Sequence, residues 1–188
     1  MKRSLVFVAL LLAFAGPVSG STSAADSTSA RTVRLGALND RILIRLNATR
    51  ASNDLRPLVL SDDLQRAAAA HSRSMLDGGF FQHESQDGSP FSVRVKHFYR
   101  TAGYQRWSAG ENLLYSTSEI DASTAIRMWL NSPSHRANML NPAWHEVGIG
   151  SFYASAAGGT FGGEATWVIT MDFGTRAVGK STYTSTGK

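Results

Sequence analysis

The 188-residue chain has five histidines and no cysteine. Two of the histidines, His83 and His135, together with Glu111, are the residues whose types could do chemistry together. His83 lies in GGFFQHESQDGSP, an aromatic and glycine-bearing loop between two expected helices, where side chains can converge on a cleft. Glu111 follows Gly110 in AGENLLYS, a stretch otherwise heading into the core. A buried glutamate needs a partner, and a histidine can be one. His135 falls in the opening turn of a short helix announced by Ser132-Pro133, a cap followed by a proline at the first helical position. Two imidazoles and one carboxylate suit zinc or another first-row divalent ion, with positions left open for water or substrate. The same trio suits proton transfer, since histidine titrates near neutrality and burial tunes glutamate. It also suits a hydrogen-bonded network that only ties loops to a sheet. Separations of 28 and 24 residues, with no HExxH, do not choose among these readings.

Other motifs are weaker. His71 and His97 fall on expected helices and His145 in a loop before a strand, where a structural role is the simpler reading. Gly158-Gly159 and Gly162-Gly163 lack the strand, lysine and helix of a phosphate loop. Ser134 stands beside His135, but nothing resembles a GxSxG elbow. Trp107, Trp129, Trp144 and Trp167 read as core or cleft walls rather than a carbohydrate platform.

The elements that must position the trio follow from periodicity and end signals. Leu38, Ile42, Leu46 and Thr49 recur at helical spacing within residues 37–52, and Pro57 ends that run. Ser61 caps a second helix with Asp62 and Asp63 at its positive end; its alanines 67–70 imply close packing, and Gly78-Gly79 stops it. Ser89-Pro90 opens a third helix running to about residue 100. Ser118 caps a fourth over residues 119–130, with Asp121 at the capping-box position. Residues 110–115, 147–153 and 165–173 read as strands, the last two joined by the glycine-rich SAAGGTFGG. Mixed helices and strands, with late strands antiparallel, make an α+β sandwich.

Both ends differ from this middle. Lys2 and Arg3 precede an apolar run over residues 5–15 and small residues at 18–20, the pattern of a secretory signal peptide over residues 1–20 and too short to span a bilayer. Residues 21–34 read as a flexible linker, 35–174 as the domain and 175–188 as a disordered tail. The mature chain is expected to be secreted, without a transmembrane segment and without disulfides. The net charge of +5 comes from the ends. Between residues 36 and 174, twelve Lys and Arg face thirteen Asp and Glu, so no nucleic-acid-binding face is expected.

Taken in order, LNATRASNDLRPLVLSDDLQRAAAAHSRSM, GGFFQHESQDGSP, AGYQRWSAGENLLYS, MWLNSPSHRANMLNP, HEVGIG and WVITMDFG resemble the CAP superfamily, also called SCP-like or cysteine-rich secretory protein/antigen 5/pathogenesis-related-1 domains, in its bacterial secreted branch. The resemblance implies an α-β-α sandwich with a central antiparallel sheet and a surface cleft. In that family the cleft carries two histidines and up to two glutamates that can bind a divalent metal. The matching positions are His83, Glu111 and His135. The second glutamate usually comes three residues after a tryptophan; here the tryptophan is Trp129 and the position holds Ser132. The functions implied are an extracellular module binding a lipid or glycan in the cleft, metal-assisted, or a hydrolase of cell-wall glycan or peptide in which Glu111 or His83 is the acid or base.

Overall fold

The computed structural model describes residues 31–178; the expected signal peptide and most of the expected linker and tail lie outside them. Strands β1 (Thr32–Arg34), β2 (Val59–Leu60), β3 (Arg106–Ser116), β4 (Glu146–Ala157) and β5 (Glu164–Ala177) form one sheet in the order β1-β4-β5-β3. The long strands pair antiparallel, while β2 adds a short parallel pairing to β4 beside β1. Helices α2 (Asp62–Gly78) and α3 (Phe91–Phe98) cover one face. Helices α1 (Gly36–Ala51), α4 (Ala122–Asn131) and α5 (Pro133–Met139) cover the other, making the α-β-α sandwich.

Strand alternation decides which side chains each layer receives. Val147 and Ile149 of β4 and Ile169, Met171 and Phe173 of β5 meet Ile42, Leu46 and Trp129 in the larger core. Their neighbours in sequence turn the other way, and there α2 comes very close. A Cβ on Gly148 would stand 2.1 Å from the Gln65 backbone nitrogen, and one on Gly150 2.3 Å from that of Ala69. The glycines of HEVGIG and the alanine run of α2 are therefore two halves of one contact. Ser72 pins it, donating its hydroxyl to the Gly150 carbonyl at 2.7 Å and lying 2.8 Å from the Thr170 hydroxyl.

Several boundaries differ from expectation. The expected linker stops short of Arg34, because Thr32–Arg34 pair with β4 at Phe152–Ala154. The expected tail begins later than residue 175: Thr175, Arg176 and Ala177 pair with Ser108, Trp107 and Arg106. Ser61 does cap α2, accepting from the Leu64 amide, and Gly79 ends it at φ 65°. Asp121 rather than Ser118 caps α4, its carboxylate accepting from the Thr124 amide at 2.7 Å. Pro90 sits at the cap of α3, which ends at Phe98. Trp129 and Trp144 are buried in the core, with Trp107 and Trp167 packed at its margins.

Candidate functional site

Glu111 sits on the middle section of β3, its side chain only 1% exposed. Two groups meet its carboxylate. His83 Nδ1 donates to Oε1 at 2.8 Å, and Arg94 Nη2 from α3 donates to Oε2 at 2.5 Å. Arg94 also holds the loop, since both terminal nitrogens reach the His83 carbonyl at 3.2 Å and Nη1 reaches Ser85 Oγ at 3.1 Å. One guanidinium thus fixes both the acid and the backbone of its histidine partner. The imidazole remains half exposed, with Nε2 free of Glu111. Hydrogen bonding to Glu111 raises its proton affinity above the ordinary histidine value, against a smaller opposing effect of burial.

The acid directly opposite Glu111 is Asp172 on β5. Directly opposite residues share a sheet face, so two carboxyl groups lie together under α2. Asp172 is fully buried, no donor from another residue reaches its carboxyl oxygens, and the group beside it is the Glu111 carboxylate. Burial, then the charge of Glu111, pushes its carboxyl well above the usual carboxylate range. His71 of α2 lies nearby at 1% exposure and donates Nε2–H to the Gln82 carbonyl at 2.9 Å, leaving Nδ1 unpartnered. Burial lowers its pKa to about 4, so its ring is neutral.

His135 stands apart. Its backbone is well placed: Asn112 Nδ2 donates to its carbonyl at 2.9 Å, and Asn138 of the same helix donates to the Glu111 carbonyl at 3.1 Å. The buried Arg50 secures the far end of α5, donating Nη1 to the Met139 and Asn141 carbonyls at 2.7 and 3.1 Å. The His135 ring makes no hydrogen bond among the described residues, and burial, then the charge of His83, lowers its pKa. The fold therefore brings His83 onto Glu111 and leaves His135 as a neighbour. Ser132 has its hydroxyl 3.5 Å from that of Ser134.

As it stands, the carboxylate of this trio is not free to hold a metal. Both oxygens of Glu111 are engaged, one by a guanidinium whose fixed positive charge lies where a cation would approach. Among the described residues no group of three or more His, Asp or Glu is arranged to hold an ion. Sequence reasoning missed Arg94 and Asp172; it gave His71 a structural role, which its buried ring bonded to the Gln82 carbonyl fits. Only Asp172 gave a signal, as a lone acid within the apolar WVITMDF.

The Cysteine-rich secretory protein family, CAP, matches residues 43–173. The chain belongs to this family. YkwD of Bacillus subtilis strain 168, an uncharacterized protein, is 31% identical over 126 residues, covering 66% of this chain and 46% of that protein. The chain thus spans less than half the length of that curated relative. An SCP-domain extracellular protein from Bacillus anthracis is 26% identical with a TM-score of 0.56, over 73% of this chain and 40% of the other. An outer surface protein of Borrelia burgdorferi shares the fold at 18% identity and a TM-score of 0.61, over 78% of this chain and 98% of the other. No helix of the CAP domain among the described residues is long and apolar enough to cross a membrane.

Proposed function

We propose that this CAP domain is a secreted binding module that presents His83, braced from beneath by Glu111 and Arg94, to an extended glycan of the cell wall, without a metal. The observation that carries this reading is the half-exposed imidazole held on a buried carboxylate. Rigid support of this kind lets one side chain hydrogen-bond a ligand without first losing its own freedom. The surrounding loop is Gln82, Glu84, Gln86 and Asp87, all exposed. Such a rim suits a hydroxyl-rich chain better than an acyl chain. Sedimentation with purified cell-wall sacculi tests it: wild type should co-sediment, and His83→Ala and Glu111→Gln should each weaken binding at least tenfold, with zinc or chelator making no difference. Equal binding by all three proteins would sink the proposal.

A hydrolase is the second reading, favoured because fixing Nδ1 on Glu111 leaves Nε2 to accept a proton from water. Soluble fragments released from sacculi by wild type but not by Glu111→Gln would establish it.

A further inference from the structure

On the opposite side of the sheet, helices α1 and α4 leave a groove at the surface. Two cavities of about 420 and 370 Å³ adjoin along it, sharing Arg45, Ala48 and Ser123. Its walls alternate in character. Ile44 is 67% exposed, and Ile126 and Leu130 form the apolar floor of the second cavity. Arg41 and Arg45 line one wall and Arg127 the other. All three arginines are exposed, and none forms an ion pair among the described residues. The acid in this stretch, Asp121, caps α4 and its one charge faces Arg127 and Arg45 without an ion-pair contact, so the groove stays net positive.

This concentration of charge is unusual for a domain whose middle is nearly neutral. Arg41 and Arg45 stand four residues apart on one helix face, a like-charge spacing that weakens a helix by a few tenths of a kcal/mol. Arg66 and Arg73, by contrast, each have an acid three or four residues away. A ligand carrying carboxylates would relieve the repulsion and could be held by paired guanidinium hydrogen bonds. The exposed isoleucine and the apolar floor ask the same ligand for aliphatic side chains.

We propose that the α1–α4 groove of this chain docks an acidic, aliphatic segment of a partner protein in extended form. Carboxylates would meet Arg41, Arg45 and Arg127, and alternate side chains would rest on Ile44, Ile126 and Leu130. From Arg41 to Ala51 the helix is about 15 Å long at 1.5 Å per residue. Five residues of extended peptide at about 3.3 Å each match that length. Extended peptide also alternates its side chains between two sides, so one set can face the apolar floor and the other the arginines at the rims. A sulfated or phosphorylated glycan would satisfy the arginines but leave the aliphatic floor unused. A fatty acid would use the floor and only one guanidinium.

The test is fluorescence anisotropy of a labelled peptide of four Glu-Leu repeats with the full chain. Saturable binding is expected, weakened at least tenfold in the Arg41→Glu/Arg45→Glu double variant and several-fold by Ile44→Ser, with melting temperatures near wild type. His83→Ala should bind as wild type does, which separates this surface from the imidazole site. A peptide of four Glu-Ser repeats should bind more weakly, and four Lys-Leu repeats not at all. Unchanged binding in the double variant overturns the proposal, as does sensitivity to His83→Ala. Tighter binding of dextran sulfate would reassign the groove to an anionic glycan, and displacement of the peptide by equimolar oleate would reassign it to a fatty acid; either overturns it.

Discussion

Two acid clusters occupy neighbouring rungs of the same sheet face, and they are built in opposite ways. On one rung Glu111 faces Asp172; on the next, Ala109, Gly174 and Glu146 lie side by side, with Asp63 of α2 above. Around Glu146 and Asp63 every carboxylate oxygen has a partner. Arg176 reaches Glu146 at 2.5 and 3.2 Å and Asp63 at 3.4 Å, Tyr99 donates its hydroxyl to Glu146, and Arg66 takes the other oxygen of Asp63. Arg176 also stacks over the Tyr99 ring at 4.1 Å. The Glu111 rung has two acids and one guanidinium, with Asp172 unpaired and one histidine reaching the surface. A satisfied network clamps α2, α3, β4 and β5 together. An unsatisfied one costs stability and persists where the groups serve another purpose.

That contrast can be broken first at Arg176. Its replacement by Met takes the guanidinium from two largely buried acids, leaving Glu146 the Tyr99 hydroxyl and Asp63 the Arg66 guanidinium, and should cost about 3 kcal/mol, measured by urea unfolding. A loss under about 1 kcal/mol would mean that the clamp contributes no more than a surface pair does, and that the two clusters differ less than their geometry implies. Almost as large is the expected effect of pH through His71. Its pKa of about 4 lies below the ordinary 6.5, so the unfolded chain binds the proton that the native ring refuses. Stability from this group is complete above pH 6.5, falls as the pH drops toward 4, and is gone below that. The loss is about 3 kcal/mol. His71→Gln keeps a donor for the Gln82 carbonyl and should remove that part of the acid slope. Parallel curves for the two proteins would place His71 in a wetter setting than its 1% exposure indicates.

How much of this was legible beforehand depended on whether the information was local. Ser61, Gly79 and the alanine run of α2 were readable because caps, breakers and small residues act within a turn or two. The edge strands Thr32–Arg34 and Val59–Leu60 were not, since three and two residues carry no period. At α4 the sequence offers Ser118 and Asp121 three residues apart, and both are competent caps; local propensity could not choose between them. His83 and Glu111 were found through residue type and loop setting. Arg94 was invisible because an arginine on a short helix is ordinary, and only the fold brings it to an acid 17 positions away. Asp172 was visible as an anomaly in WVITMDF, but its meaning required the register that sets it opposite Glu111.

The register also gives a sharper test with a smaller effect and an unusual sign. A carboxyl whose native pKa is raised holds its proton while the unfolded chain has released it, so it destabilises increasingly as pH rises above the ordinary carboxylate range. Asp172→Asn removes that penalty and keeps the shape. It should stabilise the protein by about 1 kcal/mol at about pH 8, with the gain shrinking as pH falls toward the ordinary carboxylate range. Asp63→Asn should do the reverse, weakening the clamp by about 2 kcal/mol at about pH 8 through loss of charge-assisted hydrogen bonds. If both variants are destabilised alike, the two rungs do the same work.

The smallest expected change in stability carries the most about function. His83 is half exposed, so solvent screens its pairing with Glu111, and His83→Ala should change stability by less than about 1 kcal/mol. Its titration should be more informative. Because Glu111 raises the folded pKa of the imidazole, its stabilising share is full below the ordinary 6.5 and fades as pH rises through the raised value. Two-dimensional NMR of the ring should place the midpoint above 6.5 in wild type and return it toward 6.5 in Glu111→Gln, which can still accept a hydrogen bond but carries no charge. Sacculus binding that depends on a charged imidazole should weaken over that same interval and lose this pH dependence in His83→Ala. A ring midpoint that ignores Glu111→Gln would separate the two residues, and with them the case that the unsatisfied rung exists to hold His83 at the surface.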